Sequence, residues 1–321
     1  MRAIVVNELG GPEVLEIAEV DEPRPLPGEL LVETVAVGVN FIEIYQRSGV
    51  YKMPTPFTPG AEAAGTVLEV GEGVTGFAPG DRIATAGAQR GTYAERFVVH
   101  QDQATHVPDS IELEVAAALP LQGCTAHYLA TSAAQPQPGD TVLVHAGAGG
   151  VGLLLTQLLA ARGVRVLTTA STEVKRQLSL EAGASRSFSY EGFGEQAREL
   201  TDGEGVAVVY DGVGRDTFDE SLGALRVRGE MVLFGGSSGQ VPPFDLQRLN
   251  AGGSLSITRP SLGHFMRTPA ERAWRYRELF EAVEASTLST SVGGRFALAD
   301  AAEAHRALAG RGTTGKLVLV P

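Results

Sequence analysis

The stretch Thr141-Val142-Leu143-Val144-His145-Ala146-Gly147-Ala148-Gly149-Gly150-Val151-Gly152, running on into Leu153-Leu154-Leu155-Thr156-Gln157-Leu158-Leu159-Ala160, decides the fold. The first residues read as a buried strand, the glycines as a tight turn and the leucine-rich run as an apolar helix. Gly147, Gly149 and Gly152 satisfy G-x-G-x-x-G. The first glycine permits the bend, the second lets backbone approach a pyrophosphate, and the third lets the helix pack closely on the strand. The N–H groups at the helix start, on Gly150 and Val151, then face the phosphates with the helix dipole behind them. Glycine-rich turns are common, and a structural turn in some other α/β sheet is the alternative. Here a strand candidate at residues 164–169 follows the helix and completes a β-α-β unit, the context a dinucleotide site requires.

Outward from this unit the chain has two textures. Up to about residue 122, strand candidates at 3–7, 14–19, 29–39, 65–70, 81–85 and 94–99 are separated by turn clusters such as Pro23-Arg24-Pro25-Leu26-Pro27-Gly28. Short strands at close spacing predict a β-barrel-like domain with few helices. Residues 112–119 are helical in composition, and Pro120 marks their limit. From residue 123 strands and helices alternate, with helices at 174–181 and 217–225 and strands at 206–211, 230–235 and 254–258. That alternation predicts an open, doubly wound parallel sheet with helices on both faces. The tail carries a long helical pattern at 270–286, a strand at 293–296, a helix at 300–308 and a strand at 316–320. A terminal strand without a partner nearby in sequence is expected to rejoin the N-terminal domain. The division is therefore 1–122, 123–262 and 263–321.

A formal charge of -12 argues against nucleic acid or an anionic membrane as partner. It leaves room for an anionic cofactor, because a local pocket can be basic in an acidic protein. A single cysteine, Cys124, excludes an internal disulfide framework and any multi-cysteine metal site, and its expected role is a buried small hydrophobe. The apolar run at the N-terminus is too short for a signal peptide, and no stretch approaches the ~18 apolar residues of a membrane span. A cytoplasmic protein is the expectation.

Several separate stretches then point one way: Gly38-Val39-Asn40-Phe41-Ile42-Glu43, Pro59-Gly60-Ala61-Glu62-Ala63-Ala64-Gly65, Gly71-Glu72-Gly73-Val74, Leu121-Gln122-Gly123-Cys124-Thr125-Ala126-His127-Tyr128, His145 to Gly152, Tyr210-Asp211-Gly212-Val213-Gly214, Phe234-Gly235-Gly236-Ser237-Ser238-Gly239 and Thr258-Arg259-Pro260-Ser261-Leu262. In this order, and nearly end to end, the chain resembles the medium-chain dehydrogenase/reductase superfamily. The resemblance is strongest to its quinone oxidoreductase branch (NADPH:quinone reductase, zeta-crystallin-like). The resemblance implies an α/β protein in which a GroES-like β-barrel-type catalytic domain is interrupted by a Rossmann domain.

Zinc-dependent relatives carry a cysteine where this chain has Asn40, and Gly-His-Glu where it has Gly60-Ala61-Glu62. Neither position offers a thiolate or an imidazole. The six histidines are scattered, with none paired at helical spacing. No metal is expected. Without one, a simple alcohol loses the ion that would stabilise its alkoxide. A quinone or a conjugated carbonyl, already a good hydride acceptor, is the better substrate.

NAD enzymes place Asp or Glu about 20 residues beyond the turn, on the ribose 2′-hydroxyl. This chain has Ser171 there, with Thr172, Lys175 and Arg176 close behind. A missing carboxylate removes repulsion of a 2′-phosphate, and Lys175 can supply a point charge. NADPH is thus expected, with Glu173 the one residue that would disfavour it if turned inward. By resemblance, Lys175 and Tyr190 match positions that contact this phosphate. Asn40 and Tyr45 would approach the nicotinamide side and Thr125 its carboxamide. Phe234, Gly235 and Ser238 would lie along the strand ends near the cofactor, and Arg259 near the cofactor or a dimer edge. Phe234 reads equally well as plain sheet core.

The reading is hydride transfer from NADPH to a quinone without metal. The cleft is expected beyond the carboxyl ends of the strands. Tyr51 and Tyr45 are the candidate proton donors, Tyr45 reading better as an amphipathic wall. A reductase of alkenals or enones on the same fold is the alternative, and a non-catalytic NADPH-binding structural or RNA-binding protein is a third. The acidic balance and the lack of a basic, aromatic stripe count against RNA. Relatives pair edge to edge through the strand at 254–258, which implies a homodimer.

Overall fold

In the computed structural model, which describes residues 1–321, the glycine-rich turn sits at the carboxyl end of the Thr141–Val144 strand, inside a six-stranded sheet. The spatial order is Arg186–Phe188, Arg165–Thr169, Thr141–Val144, Val206–Asp211, Leu225–Leu233 and Ser256–Thr258, every pair parallel. Strand order reverses between Thr141–Val144 and Val206–Asp211, so the turn lies at the topological switch point, where ligands bind in such sheets. Parallel strands covered on both faces must be apolar throughout. All six residues of Val206–Asp211 are accordingly buried, as are Val142, Leu143 and Val144.

Two contact units make up the chain. One is Gly123–Arg267, which holds this sheet; the other joins Met1–Gln122 to Thr268–Pro321. The short Leu262–Phe265 helix falls in the Gly123–Arg267 unit, where Phe265 stacks on Tyr128 with ring centroids 4.5 Å apart.

The discontinuous unit is built on the eleven-residue Glu29–Val39 strand, which pairs antiparallel with Ala63–Val70, Arg96–His100 and Lys316–Val320. Lys316–Val320 also pairs parallel with Val292–Ala297, so the last strand of the chain closes the sheet begun by the first third. Leu30, Val32, Val37, Leu317 and Leu319 share its core with Tyr93 and Phe97. A separate hairpin pairs Arg2–Val5 with Glu16–Glu19.

Local structure departs from the sequence reading where a residue carries two meanings. Pro120 does not merely end the Leu113–Ala117 helix; it opens the next, Pro120–Tyr128. In a first helical turn proline loses no hydrogen bond and its φ is already helical. The helix Phe41–Arg47, the three-residue strand Arg186–Phe188 and the helix Phe193–Glu199 are too short for a periodic pattern to announce.

Because the closing strand contributes fully buried side chains, Leu319→Ala is expected to lower unfolding stability by ~2–5 kcal/mol. Leu246, 69% exposed, should tolerate the same change with almost no effect in the same chemical denaturation experiment.

Candidate functional site

The nucleotide end is built by backbone. Gly147 N–H donates to Thr169 O at 2.9 Å and Gly149 N–H to Ala146 O at 2.8 Å, which closes the turn and leaves Gly149 as N-cap of the Gly150–Ala161 helix. The first N–H groups of that helix, on Gly150 and Val151, have no partner within it and remain for an anion. Gly152 cannot be replaced without opening the turn: a Cβ there would lie 2.3 Å from Ala146 O and 2.9 Å from Gly147 Cα, both backbone atoms. These features fit a pyrophosphate.

Beneath the turn lies a buried polar network. His145 Nδ1 is 2.8 Å from Thr169 Oγ1 and its Nε2 is 2.8 Å from Ser221 Oγ. Burial pulls this imidazole below the usual histidine range. Asp211 Oδ1 accepts from the N–H groups of Val213 and Gly214 at 2.7 and 2.9 Å, and Oδ2 accepts from Thr217 Oγ1 at 2.7 Å. The loop after the Val206–Asp211 strand is thus tied to the sheet's carboxyl edge beside the turn. The Tyr-Asp-Gly-Val-Gly motif was the sequence signal for it.

Beyond the second strand, Ser171 is exposed and Thr172 Oγ1 caps the Glu173–Glu181 helix by accepting from Lys175 N–H at 3.3 Å. Glu173 turns to Arg176, whose Nη2 donates to its Oε2 at 2.6 Å, so this carboxylate has a counterion of its own. Lys175 is half-buried, and that partial burial pulls its ammonium below the usual lysine range. Tyr190 stacks on His145 with centroids 6.2 Å apart.

Other candidates fall differently. Thr125 is buried on the Pro120–Tyr128 helix, and Arg259 is exposed just past the edge strand Ser256–Thr258. Phe234 is half-buried with its ring over Gly212, beside Gly235. The Ser238 hydroxyl donates to Val213 O at 2.8 Å and accepts from Asp216 N–H at 3.0 Å, tying the loop after Leu225–Leu233 to the loop after Val206–Asp211.

In the discontinuous unit, Asn40 is held by its neighbours. It is 3% exposed, and its carboxamide is engaged inside the protein. Oδ1 accepts from Lys316 Nζ at 2.6 Å, while Nδ2 donates to Glu62 Oε2 at 2.9 Å and Gly38 O at 3.3 Å. Lys316 Nζ also pairs with Glu62 Oε2, and Glu62 Oε1 accepts from Leu121 N–H at 2.6 Å. The amide at position 40 is thus fixed in direction by Lys316, Glu62 and Gly38. Glu43 Oε2 accepts from Asn40 N–H at 2.7 Å, but its buried Oε1 has no donor. Burial, reinforced by the Glu62 charge and only partly offset by Lys316, pushes the Glu43 carboxyl up to about 8. Tyr45 and Tyr51 stand together, rings edge to face at 5.5 Å, with Tyr51 45% exposed. Lys316, Glu43 and Glu62 carry the cluster, and sequence gave no periodic or motif signal for Lys316.

These residues do not suit zinc. Asn40 offers a carboxamide and Ala61 a methyl group in place of the thiolate and imidazole that zinc prefers, and an ammonium already sits against the Glu62 carboxylate. No group of three or more His, Cys, Asp or Glu stands ready to hold a metal.

Comparison with known proteins agrees with this architecture. Residues 26–109 match the alcohol dehydrogenase GroES-like domain and residues 150–284 the zinc-binding dehydrogenase family. A quinone oxidoreductase of Pseudomonas aeruginosa is 43% identical over 315 residues, covering 97% of each chain. A mycobacterial structure complexed with NADPH superposes with a TM-score of 0.97 at 50% identity over 100% of both chains. The Escherichia coli quinone oxidoreductase complexed with NADPH gives 0.98 at 40% identity, again over 100% of both. The fold is that of the medium-chain dehydrogenases/reductases. Within them, the chain belongs to the quinone oxidoreductase family.

Glu43 gives the site a pH signature. Its folded pKa lies above the unfolded value of 4.5, so the protonated form is favoured by folding. The stability it contributes is complete below 4.5 and is lost as pH rises toward about 8. Glu43→Gln is expected to flatten the fall in stability across that window in urea titrations at a series of pH values.

Proposed function

We propose that the chain is an NADPH-dependent oxidoreductase that reduces a quinone without a metal ion. The observation that carries the cofactor choice is the end of the Arg165–Thr169 strand. Ser171 stands where a ribose-binding carboxylate would repel a 2′-phosphate, and the nearest acid, Glu173, is held by Arg176. Lys175, Ser171 and Tyr190 would receive the phosphate, and the Gly150 and Val151 N–H groups the pyrophosphate. Thr125, Phe234 and Gly235 would border the nicotinamide half. When bound, NADPH supplies the hydride from its nicotinamide ring.

The chain's own residues orient and enclose. Tyr45 forms a wall with its phenol edge, and Tyr51 holds a proton on an exposed phenol that can be passed to a reduced oxygen. No residue here acts as a Lewis acid, which suits an acceptor that is already electrophilic. A quinone fits because its reduced oxygens gain charge within an aromatic ring, so less stabilisation is asked of the protein than for an alkoxide.

No helix is long and apolar enough to cross a membrane. Together with the single buried cysteine and the acidic balance, this supports a cytoplasmic protein acting on a small molecule. The edge strand Ser256–Thr258, open on one side, supports a homodimer joined there.

The test is NADPH oxidation followed by absorbance against panels of quinones and enones. Quinone turnover should exceed enone turnover, and NADPH should be preferred to NADH. Lys175→Met should cut that preference by about tenfold or more with quinone kcat nearly unchanged. Equal use of both dinucleotides by the unmodified protein, or turnover of enones alone, would overturn the proposal.

A further inference from the structure

The segment Phe41–Arg47 is a helix of only seven residues, too short to hold its shape by its own hydrogen bonds. Its two ends are held by buried polar contacts reaching more than 250 residues along the chain. At the N-terminal end, Lys316 Nζ donates to Asn40 Oδ1 at 2.6 Å, and the Asn40 N–H in turn caps onto Glu43 Oε2 at 2.7 Å. At the C-terminal end, Arg47 Nε donates to His305 Nδ1 at 3.1 Å, and Arg47 Nη1 donates to Gly10 O at 2.7 Å. The Arg47 donation makes Nδ1 the acceptor and leaves the imidazole proton on Nε2, 3.0 Å from Tyr93 Oη. Lys316, Glu43, Asn40, Arg47 and His305 are all under 5% exposed.

Lys316 and His305 both come from the C-terminal return of the chain, one from the closing strand and one from the Ala301–Ala309 helix. Between the two grips the helix presents Tyr45. Its backbone carbonyl accepts the Tyr51 N–H at 3.0 Å, and the two rings meet at 5.5 Å. The N-terminal grip is closely fitted. At Gly38 a Cβ would fall 2.0 Å from Glu62 Oε2 and 2.7 Å from Lys316 Cε, so only glycine lets carboxylate and lysine meet over that strand.

We propose that Lys316 and His305 are positioning residues for quinone reduction: they clamp the Phe41–Arg47 helix at both ends and so fix the Tyr45–Tyr51 pair against the substrate. This rests on the reading that Tyr45 and Tyr51 border the quinone. Neither clamp residue touches substrate. Each acts through a side chain that it orients, Asn40 at one end and Arg47 at the other. A buried lysine is used at the first end because one ammonium satisfies both the amide oxygen and the Glu62 carboxylate.

Removing Lys316 alone would strand the Glu62 charge, so the test uses Lys316→Met with Glu62→Gln, which deletes both charges together. His305→Leu, opening the other grip, is the second variant if the first fails to fold. Each is assayed in the full-length protein with NADPH and 1,4-benzoquinone, alone and combined with Tyr51→Ala. NADPH affinity, read by fluorescence titration, should stay within about twofold, while kcat/KM for the quinone falls about tenfold to a hundredfold. In the Tyr51→Ala background the same changes should cost much less, since the clamp acts through that tyrosine pair. Full quinone activity in both clamp variants, with Tyr51→Ala itself impaired, would overturn the inference and leave the substrate assignment standing. Full activity in Tyr51→Ala and in Tyr45→Ala would instead remove the reading on which it rests.

Discussion

The ammonium of Lys316, buried between the Glu62 carboxylate and the Asn40 carboxamide, is the contact around which the discontinuous unit is organised. A charge taken out of water is costly unless it is paired and hydrogen-bonded, and here it is both. The arrangement joins the closing strand to the end of Glu29–Val39 and to the segment that leads into Ala63–Val70. It also determines which way the Asn40 amide faces, and through the Asn40 N–H it meets Glu43 at the start of the Phe41–Arg47 helix. The same geometry that lets the chain's last strand complete the sheet holds Asn40 and Glu62 in place.

The second unit solves a different problem by backbone alone. The turn at residues 147–152 sets backbone donors without side-chain bulk at the switch point of a parallel sheet, where such sheets bind ligands. The His145, Asp211, Thr217 and Ser221 network below keeps the adjacent strand ends in register with that turn. At the end of the Arg165–Thr169 strand of a protein of formal charge -12, Glu173 is paired to Arg176 and Lys175 is half-buried close by.

Much of this was legible from residue order. The strand-glycine-helix run at 141–160 was visible because its three elements have different periods and follow in the required sequence. The return of residues 316–320 to the first sheet followed from a strand left without a neighbour. What escaped reading depended on long-range partners or on short elements. Lys316 meets a carboxylate 254 residues away, and His305 meets an arginine 258 residues away, so neither pattern nor spacing marks them. Pro120 reads as a helix limit and serves as a helix start, since both rest on its fixed φ and absent N–H. Asn40 stands out in the order of residues, but the direction of its amide is decided by Lys316.

The chemistry proposed for this chain is performed without a divalent ion. The most direct measurement is the metal content of the purified protein by mass spectrometry, together with NADPH-dependent quinone turnover before and after exhaustive chelation. Metal far below one equivalent per chain and turnover unchanged by the chelator are the expected results. Stoichiometric zinc, with activity lost on chelation and restored by adding zinc back, would contradict the proposal.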